Sequence, residues 1–328
     1  MPRKLRLEYA GAIQHVINRG NYRLDIFADE RAKGAFEACL FEACEKSRWI
    51  LHAFTVMRNH FHLGLETPEP NLIEGMQWLQ GTFAVRFNRL RSERGHLFQG
   101  RYKSILTEEG KSLGEVCDYI HLNPVKAGLV PLERLQEYRY SSYWYLHRPR
   151  LRPSFLRVQT GLECAGGLPD SPHGWTRYAG RLKLQLAQTI GPGKWEERQR
   201  ALCQGWAIGS KEFKRDLVEE FQLTGQLRSS DAPGVQEIRS LGWMAVLNKG
   251  LKALGYSLEE ARLGPKSLPW KIALAAWMKK RTQANNPWLT EQLNLGTPNA
   301  LSRNLTNFRR ARQGSDSTWR TLKSLSGA

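Results

Sequence analysis

The stretch WILHAFTVMRNHFHLGLE, residues 49–66, predicts two β-strands joined by a tight turn. The strands are Trp49–Met57 and His60–Glu66, and the intervening Arg58-Asn59 is typical of a hairpin. An antiparallel pair of strands is therefore the part of the fold from which the other elements can be placed.

The predicted elements on either side of the hairpin complete an alternating order. They are a strand at Ala12–Ile17 closed by the turn signal Arg19-Gly20-Asn21, a helix from Asp29 to about Lys46, a helix that begins at Asn71 and ends in the basic tract Arg86–Arg94, and an extended segment at Phe98–Thr107. Strand, helix, strand, strand, helix, strand is the order of the ferredoxin-like (RRM-like) α+β fold, an antiparallel sheet with helices on one face.

A third helix is predicted to follow the last of these strands. Ser112 and Glu115 have the spacing of a capping box, which would start the helix there. Tyr119 and Asn123 are four residues apart and therefore share one face of it, and Pro124 predicts that Asn123 is its last residue.

The histidines of the hairpin suggest chemistry. Alternate side chains of a strand share a face, so His60 and His62 point the same way while Phe61 faces the core. Two neutral imidazoles about 6–7 Å apart along a strand can bind one divalent ion, provided that a third ligand comes from elsewhere. The alternative is a pair of half-buried histidines in an ordinary strand.

Tyr119 and Asn123 favour the metal-site interpretation. A tyrosine hydroxyl one helical turn from a carboxamide places a nucleophile beside a metal whose third, oxygen ligand is Asn123. The phenol of Tyr119 is unreactive at its ordinary pKa of about 10, so cleavage needs the help of such a metal. A tyrosine on a helix, taken alone, is more often a packing residue.

The charge of the chain points to a phosphate-bearing partner. The formal net charge is +18, of which residues 1–150 contribute +5 and residues 151–328 contribute +13. No acidic residue lies between Glu260 and Glu291. These values predict that the partner is a nucleic acid in the first place and an anionic membrane surface in the second. Residues 151–328 are expected to make many of the phosphate contacts.

Three regions are predicted along the chain. Residues 1–147 form the ferredoxin-like domain, residues 148–265 a helical linker or middle region, and residues 266–328 a helix-turn-helix region. The last assignment depends on helices at Trp270–Arg281, Trp288–Leu293 and Pro298–Arg310, with a Gly-containing turn at 294–297 in which Thr297 is the N-cap.

Cysteine usage and hydropathy indicate a cytoplasmic protein. The 5 cysteines are odd in number and include no Cys-x-x-Cys pair, as expected for a reducing compartment. The N-terminus lacks the apolar segment of a signal peptide, and no run of about 18 apolar residues is present. No membrane partner is therefore expected.

Three motifs in sequence order carry a resemblance to a known family. They are MRNHFHL at residues 57–63, LFQGRYKS at residues 97–104, and YIHLNPVKAGLV at residues 119–130. Together they resemble the single-tyrosine HUH transposases, and within these the REP-associated tyrosine transposases, over residues 5–145. The resemblance implies an HUH nuclease domain of ferredoxin-like fold.

The resemblance also implies an activity. A Mg²⁺ or Mn²⁺ ion would be held by His60, His62 and Asn123, and Tyr119 would attack single-stranded DNA, leaving a 5′-phosphotyrosine and a free 3′-hydroxyl. The implied substrates are repetitive extragenic palindromes that fold as hairpins, together with flanking DNA. A cytoplasmic, nucleoid-associated monomer with its active site in cis is expected.

Two departures from the family pattern affect these expectations. Gly64 stands where an apolar residue is common, and it shares the histidine face. Asn123 is one methylene shorter than the glutamine of related insertion-sequence enzymes. Imidazole ligands also suit Zn²⁺, so the choice of Mg²⁺ or Mn²⁺ depends on the resemblance.

Charge and position suggest the residues that contact DNA. Arg and Lys side chains would bind phosphates, and Tyr102 would stack on an unpaired base. In the nuclease domain the candidates are Arg19, Asn21, Arg86, Arg89, Arg101, Tyr102 and Lys103; on the last helix of the helix-turn-helix they are Asn299, Ser302, Arg303, Thr306 and Arg310.

Two functions are therefore compared. The first is a metal-dependent single-strand DNA endonuclease and transesterase with a C-terminal duplex-binding module. The second is a DNA- or RNA-binding regulator that has lost catalysis and only binds hairpins. The presence of His60, His62, Tyr119 and Asn123 together favours the first.

Overall fold

The computed structural model describes residues 7–223, 233–282, 284–310 and 316–325. It divides into two compact units, the first ending at Phe213 and the second beginning at Lys214. This division differs from the predicted boundaries after residues 147 and 265. The reason is that residues 148–213 pack on the sheet domain, through helices that contact its third helix and its first strand.

The first unit contains all of the strands that the structure describes. Its elements are β1 Ala12–Arg19, α1 Glu30–Ser47, β2 Ile50–Val56, β3 His60–Thr67, α2 Leu72–Arg91, β4 Lys103–Thr107, α3 Lys111–Lys126, α4 Ser142–Leu146, α5 Gln159–Cys164, α6 Pro172–Ala187, α7 Lys194–Cys203 and β5 Ala207–Ile208. The strand order is β2-β3-β1-β4-β5, with the first four strands antiparallel and β5 parallel to β4. The predicted ferredoxin-like α+β fold is confirmed, with one added edge strand.

The two faces of the sheet are covered by different helices. On one face, α1 and α2 pack against Phe61, whose ring centroid lies 4.6 Å from that of Phe36. On the other face, Ile13 and Ile105 pack against Ile120 of α3 in a separate core cluster. The side chains that alternate away from Phe61 therefore face α3.

The ends of α3 differ from the prediction. The helix begins at Lys111 after Gly110, whose φ of 75° suits glycine, so the predicted capping box of Ser112 and Glu115 is wrong. It also continues through Pro124 to Lys126. Proline lacks only its own amide donor, and the carbonyl oxygens of Asn123 and Pro124 still accept bonds of 2.9 Å from residues 127 and 129.

The second unit is helical in its described part. Its elements are α8 Lys211–Leu223, which crosses the boundary, α9 Pro233–Leu254, α10 Leu258–Leu263, α11 Pro269–Arg281, α12 Asn286–Leu293, α13 Pro298–Arg310 and α14 Ser317–Ser324. The turn between α12 and α13 has the predicted form, because the Thr297 hydroxyl accepts a bond of 3.2 Å from the amide of Ala300. The predicted helix-turn-helix arrangement is confirmed.

Among the described residues, no helix combines the length and the apolar character that a membrane span requires.

Candidate active site

Tyr119 lies at the centre of the interface between α3 and the sheet. Its side chain is completely buried, and its ring meets the ring of His62 edge-on at a centroid distance of 5.4 Å. A second imidazole, that of His15 on β1, contacts the same ring edge-on at 5.9 Å. The strand alternation that turns Phe61 to the α1–α2 core thus brings His62 against Tyr119.

His60 and His62 lie side by side on β3, with ring centroids 5.1 Å apart. Burial, and secondarily the charge of Arg19, lowers the pKa of His60 to about 4. Burial also lowers the pKa of His62 well below its ordinary value, and His60 and His15 add to this effect. Both imidazoles are therefore neutral at physiological pH, the form that binds a metal.

His15 also belongs to this cluster, although none of the sequence motifs includes it. It stands opposite Gly64 in the β1–β3 register, diagonal to His62 on the same face. Its Nε2 lies 3.0 Å from Nδ1 of His62, and its Nδ1 lies 2.8 Å from the carbonyl oxygen of Leu202. The period-2 pattern of β1, which places His15 between Ile13 and Ile17 on one face, is the signal that could have identified it.

Residues at both ends of α7 cover the nucleophile predicted from sequence. The ring of Trp195 stacks on Tyr119 at a centroid distance of 5.2 Å and an interplanar angle of 18°. The thiol of Cys203 donates to the Tyr119 hydroxyl over 3.3 Å. Burial, and then the neighbouring Cys203, raises the pKa of Tyr119 well above its ordinary value, while the side chains of Asn123 and Gln199 act in the opposite direction. In this conformation Tyr119 is shielded from solvent and from DNA.

Asn123 lies one helical turn beyond Tyr119, as the spacing predicts. Its side chain is buried, and its amide nitrogen donates to the backbone carbonyl of Tyr119 over 2.9 Å. That bond fixes the side chain and leaves the amide oxygen as the atom suited to a cation.

The donor set fits a divalent metal. Nδ1 of His60 lies 2.7 Å from the amide oxygen of Asn59, an acceptor, so His60 donates there and keeps a lone pair on Nε2. Two imidazole nitrogens and an amide oxygen are ligands suited to a divalent cation, and they do not select which one. A second set, His15, His62 and Cys203, has donor atoms within 4.8 Å of one another, and its sulfur would suit a softer ion.

The predicted DNA contacts near β1 lie close to this cluster. Arg19 is exposed at the end of β1, pairs in register with His60, and donates through Nε to Gln99. Asn21 lines an open cleft of about 500 Å³ together with the segment 95–98. Both positions suit contact with a DNA strand that approaches His60 and His62.

The candidates on α2 lie on the other side of the sheet. Arg86 binds Glu42 of α1 with two bonds of 2.8 and 2.9 Å, so its guanidinium is engaged within the protein. Arg89 is exposed one turn further along the helix.

The candidates around β4 divide into surface and core. Arg101 and Lys103 are exposed, whereas Tyr102 is 6% exposed and belongs to the main hydrophobic core. The predicted stacking of Tyr102 on a base requires an exposed ring, so this position corrects that expectation in favour of a packing role. Tyr22, by contrast, is 86% exposed.

The candidates in the second unit all lie on the exposed side of α13. Leu301 and Leu305 of this helix are buried in the core of the unit. The exposed residues are Asn299, Ser302, Arg303, Thr306 and Arg310. Ser302 also accepts a bond of 2.7 Å from the side chain of Asn286, which ties α13 to α12.

Comparison with known proteins gives a consistent result for the sheet domain. Residues 9–123 match the family described as "Transposase IS200 like". A Haemophilus influenzae protein described as "Putative REP-associated tyrosine transposase" is 26% identical over 169 residues, which cover 46% of this chain and 90% of that protein. A solved structure of a REP-associated tyrosine transposase bound to a REP hairpin has 17% identity and a TM-score of 0.39, and covers 47% of this chain and 89% of that one. The resemblance predicted from the three motifs is confirmed.

Proposed function

Because residues 9–123 match the IS200-like transposases, we propose that the protein cleaves and rejoins single-stranded DNA at hairpin-forming palindromic repeats. The observation that carries the proposal is the contact of Tyr119 with His62, beside His60, on the face of the sheet that α3 covers. A nucleophile and two neutral imidazoles from separate elements meet there. We propose that the protein acts as a monomer, with this site in cis.

The residues have distinct roles in the proposed reaction. The phenol oxygen of Tyr119 attacks a backbone phosphorus, loses its proton, and forms a 5′-phosphotyrosine as the 3′-oxygen leaves and is protonated. His60, His62 and the amide oxygen of Asn123 would hold Mg²⁺ or Mn²⁺, which when bound would polarise the phosphoryl oxygens and neutralise developing charge. Arg19, beside His60, is placed to bind a phosphate of the same strand. Reversal with a new 3′-hydroxyl rejoins the strand without an external energy source.

The reaction requires Tyr119 to become accessible. Trp195 covers one face of its ring and Cys203 occupies its hydroxyl. Because both groups come from α7, displacement of this helix exposes the phenol and withdraws the Leu202 carbonyl from His15, while His60, His62 and α3 keep their places. We therefore assign the structure to a closed state that opens before cleavage.

Burial of Tyr119 also favours a second candidate. If α7 stays in place, the protein would bind hairpin DNA or RNA without cleaving it and would act as a regulator. The two candidates predict different products from the same oligonucleotide.

One experiment separates them. The full-length protein is incubated with a 3′-labelled single-stranded hairpin and Mn²⁺ or Mg²⁺, and covalent protein–DNA adducts, which keep the 3′ label, are resolved on a denaturing gel. We expect an adduct with wild type and with Tyr22→Phe, a control at the exposed tyrosine, and none with Tyr119→Phe or in EDTA. Tight hairpin binding without an adduct under all metal conditions would show that the protein is a hairpin-binding regulator that does not cleave DNA. An adduct with Tyr119→Phe would show that another residue is the nucleophile.

A further inference from the structure

His15 has no role in the proposed reaction, yet it lies inside the site. Its side chain is completely buried, and both ring nitrogens are engaged. One lies 2.8 Å from the carbonyl oxygen of Leu202 in the last turn of α7, and the other lies 3.0 Å from Nδ1 of His62. These hydrogen bonds determine which nitrogen of His15 and of His62 carries a hydrogen.

The carbonyl of Leu202 fixes the first proton. A carbonyl oxygen can only accept, so Nδ1 of His15 carries a hydrogen and donates it. Carbonyls in the last turn of a helix have no partner within the helix and lie at the negative end of its dipole, which makes this one a strong acceptor.

The second proton follows from the first. A neutral His15 has no hydrogen on Nε2, so this atom accepts, and Nδ1 of His62 must be the donor. A doubly protonated His15 would reverse the bond, but its two nitrogens face a carbonyl and an imidazole, and a charge on a completely buried ring without a carboxylate at either nitrogen is strongly disfavoured. His62 then has its hydrogen on Nδ1 and a bare lone pair on Nε2.

We infer that His15 is a positioning residue, which holds His62 in the tautomer and orientation that present Nε2 to a divalent metal. The inference rests on the proposed function for the metal, but the tautomer is a property of the protein alone. The second hydrogen bond of a metal-binding imidazole commonly fixes its tautomer and raises its basicity, and its loss costs about 10–100-fold in metal affinity.

The same geometry argues that His15 is not itself a ligand in this conformation. Its one lone pair on the Nε2 atom is used by His62, and its other nitrogen is used by Leu202. The cluster of His15, His62 and Cys203 is thus accounted for by hydrogen bonding. It also links α7, through the Leu202 carbonyl, to a histidine of the metal site.

Three variants of the full-length protein test the inference. His15→Leu removes both hydrogen bonds, and His15→Gln keeps an oxygen that can accept from His62. His52→Leu is the matched control, since His52 is also a buried histidine of the sheet but bonds to Thr160 and Glu66 instead. Circular dichroism and thermal unfolding establish that each variant is folded.

Two readouts do not depend on catalysis. Long-range ¹H–¹⁵N correlation spectra of the metal-free protein report which nitrogen of His62 carries the hydrogen, and Mn²⁺ titration followed by electron paramagnetic resonance gives the metal affinity. We expect the Nδ1–H tautomer of His62 in wild type and in His52→Leu, and a mixture or the Nε2–H tautomer in His15→Leu. The Mn²⁺ affinity should fall about 10–100-fold in His15→Leu and recover largely in His15→Gln.

The outcomes distinguish this inference from the proposed function. An Nε2–H tautomer of His62 in the wild type, measured without any variant, would overturn the inference, as would equal Mn²⁺ affinities of wild type and His15→Leu. If the wild type has the expected tautomer but binds no Mn²⁺, the metal-dependent function fails while the hydrogen-bond assignment stands. A Mn²⁺ affinity that falls as much in His52→Leu would reduce the role of His15 to general packing and so would contradict it.

Discussion

Tyr119 is enclosed by two regions of the first unit that contribute in different ways. Residues 9–123 supply the tyrosine itself and the imidazoles that meet its ring edge-on. Residues 194–208 supply a stacked indole, a thiol on the hydroxyl, and the carbonyl that orients His15. The first region holds the groups that would perform chemistry, and the second determines whether DNA can reach them.

Assembly of the site and access to it therefore depend on different groups of the first unit. The sheet and α3 hold the groups of the site between buried hydrophobic clusters. The α7 segment packs into one of these clusters through Leu202 and Cys203 and adds the short strand Ala207–Ile208 to the edge of the sheet, and its Trp195 and Cys203 cover Tyr119. Substitutions in the two regions should therefore change activity in opposite directions.

The largest effect is expected in the first region. His60→Ala removes one imidazole of the metal site without touching the stack of Trp195 on Tyr119, so adduct formation and Mn²⁺ binding should both be abolished. His173→Ala, at an exposed histidine of α6, is the control and should leave both unchanged. Denaturing gels and Mn²⁺ titration measure the two quantities. Retention of the adduct in His60→Ala would remove this histidine from the reaction.

The next largest effect should fall on duplex binding, outside both regions. Arg303→Ala with Arg310→Ala removes two exposed charges of α13 and should weaken binding to duplex flanking DNA. The slope of log affinity against log salt falls by about 0.9 for each phosphate that the protein no longer neutralises, so the slope should fall by about 2. Fluorescence anisotropy at several salt concentrations measures this.

Arg320→Ala with Lys323→Ala, at two exposed cations of α14, is the matched control for the charge change. Hairpin cleavage by the α13 double variant should stay at the wild-type level, because its metal site is intact. An unchanged salt slope would show that α13 is not the duplex-binding helix.

A smaller effect of opposite sign is expected in the second region. Trp195→Ala removes the indole that stacks on Tyr119, and an aromatic pair contributes about 1 kcal/mol. If opening of α7 limits the reaction, the adduct should form about fivefold faster, since about 1.4 kcal/mol corresponds to tenfold. Trp175→Ala, at another half-buried tryptophan, controls for general loss of packing. Slower adduct formation in Trp195→Ala than in this control would show that α7 supports the site instead of covering it.

The sequence predicted the first region better than the second for a physical reason. Alternation along β3 and the four-residue spacing on α3 are local patterns, so they place His60, His62, Tyr119 and Asn123 correctly on their elements. The helix-turn-helix was predictable in the same way, because Thr297 and Pro298 mark a helix start within a few residues.

Contacts between distant segments could not be predicted. Leu202 and His15 are 187 residues apart, and nothing in the local pattern around Leu202 indicates a partner. Burial of Tyr102 and the pairing of Arg86 with Glu42 are tertiary properties of the same kind, so charge and residue type alone misplaced Tyr102. The helix N-terminus at Lys111 shows a local signal overridden by a glycine turn.

The smallest effect is expected from the contact between Cys203 of α7 and the Tyr119 hydroxyl. Cys203→Ala removes the thiol that donates to Tyr119 and keeps most of the backbone packing of α7. A sulfur hydrogen bond is weak, and its removal at about 0.5 kcal/mol should speed adduct formation roughly twofold. Cys164→Ala, whose thiol bonds to the carbonyl of Gly110, is the matched control and should have no effect on the rate. Unchanged or slower adduct formation in Cys203→Ala would show that this thiol does not hold Tyr119 in the covered position.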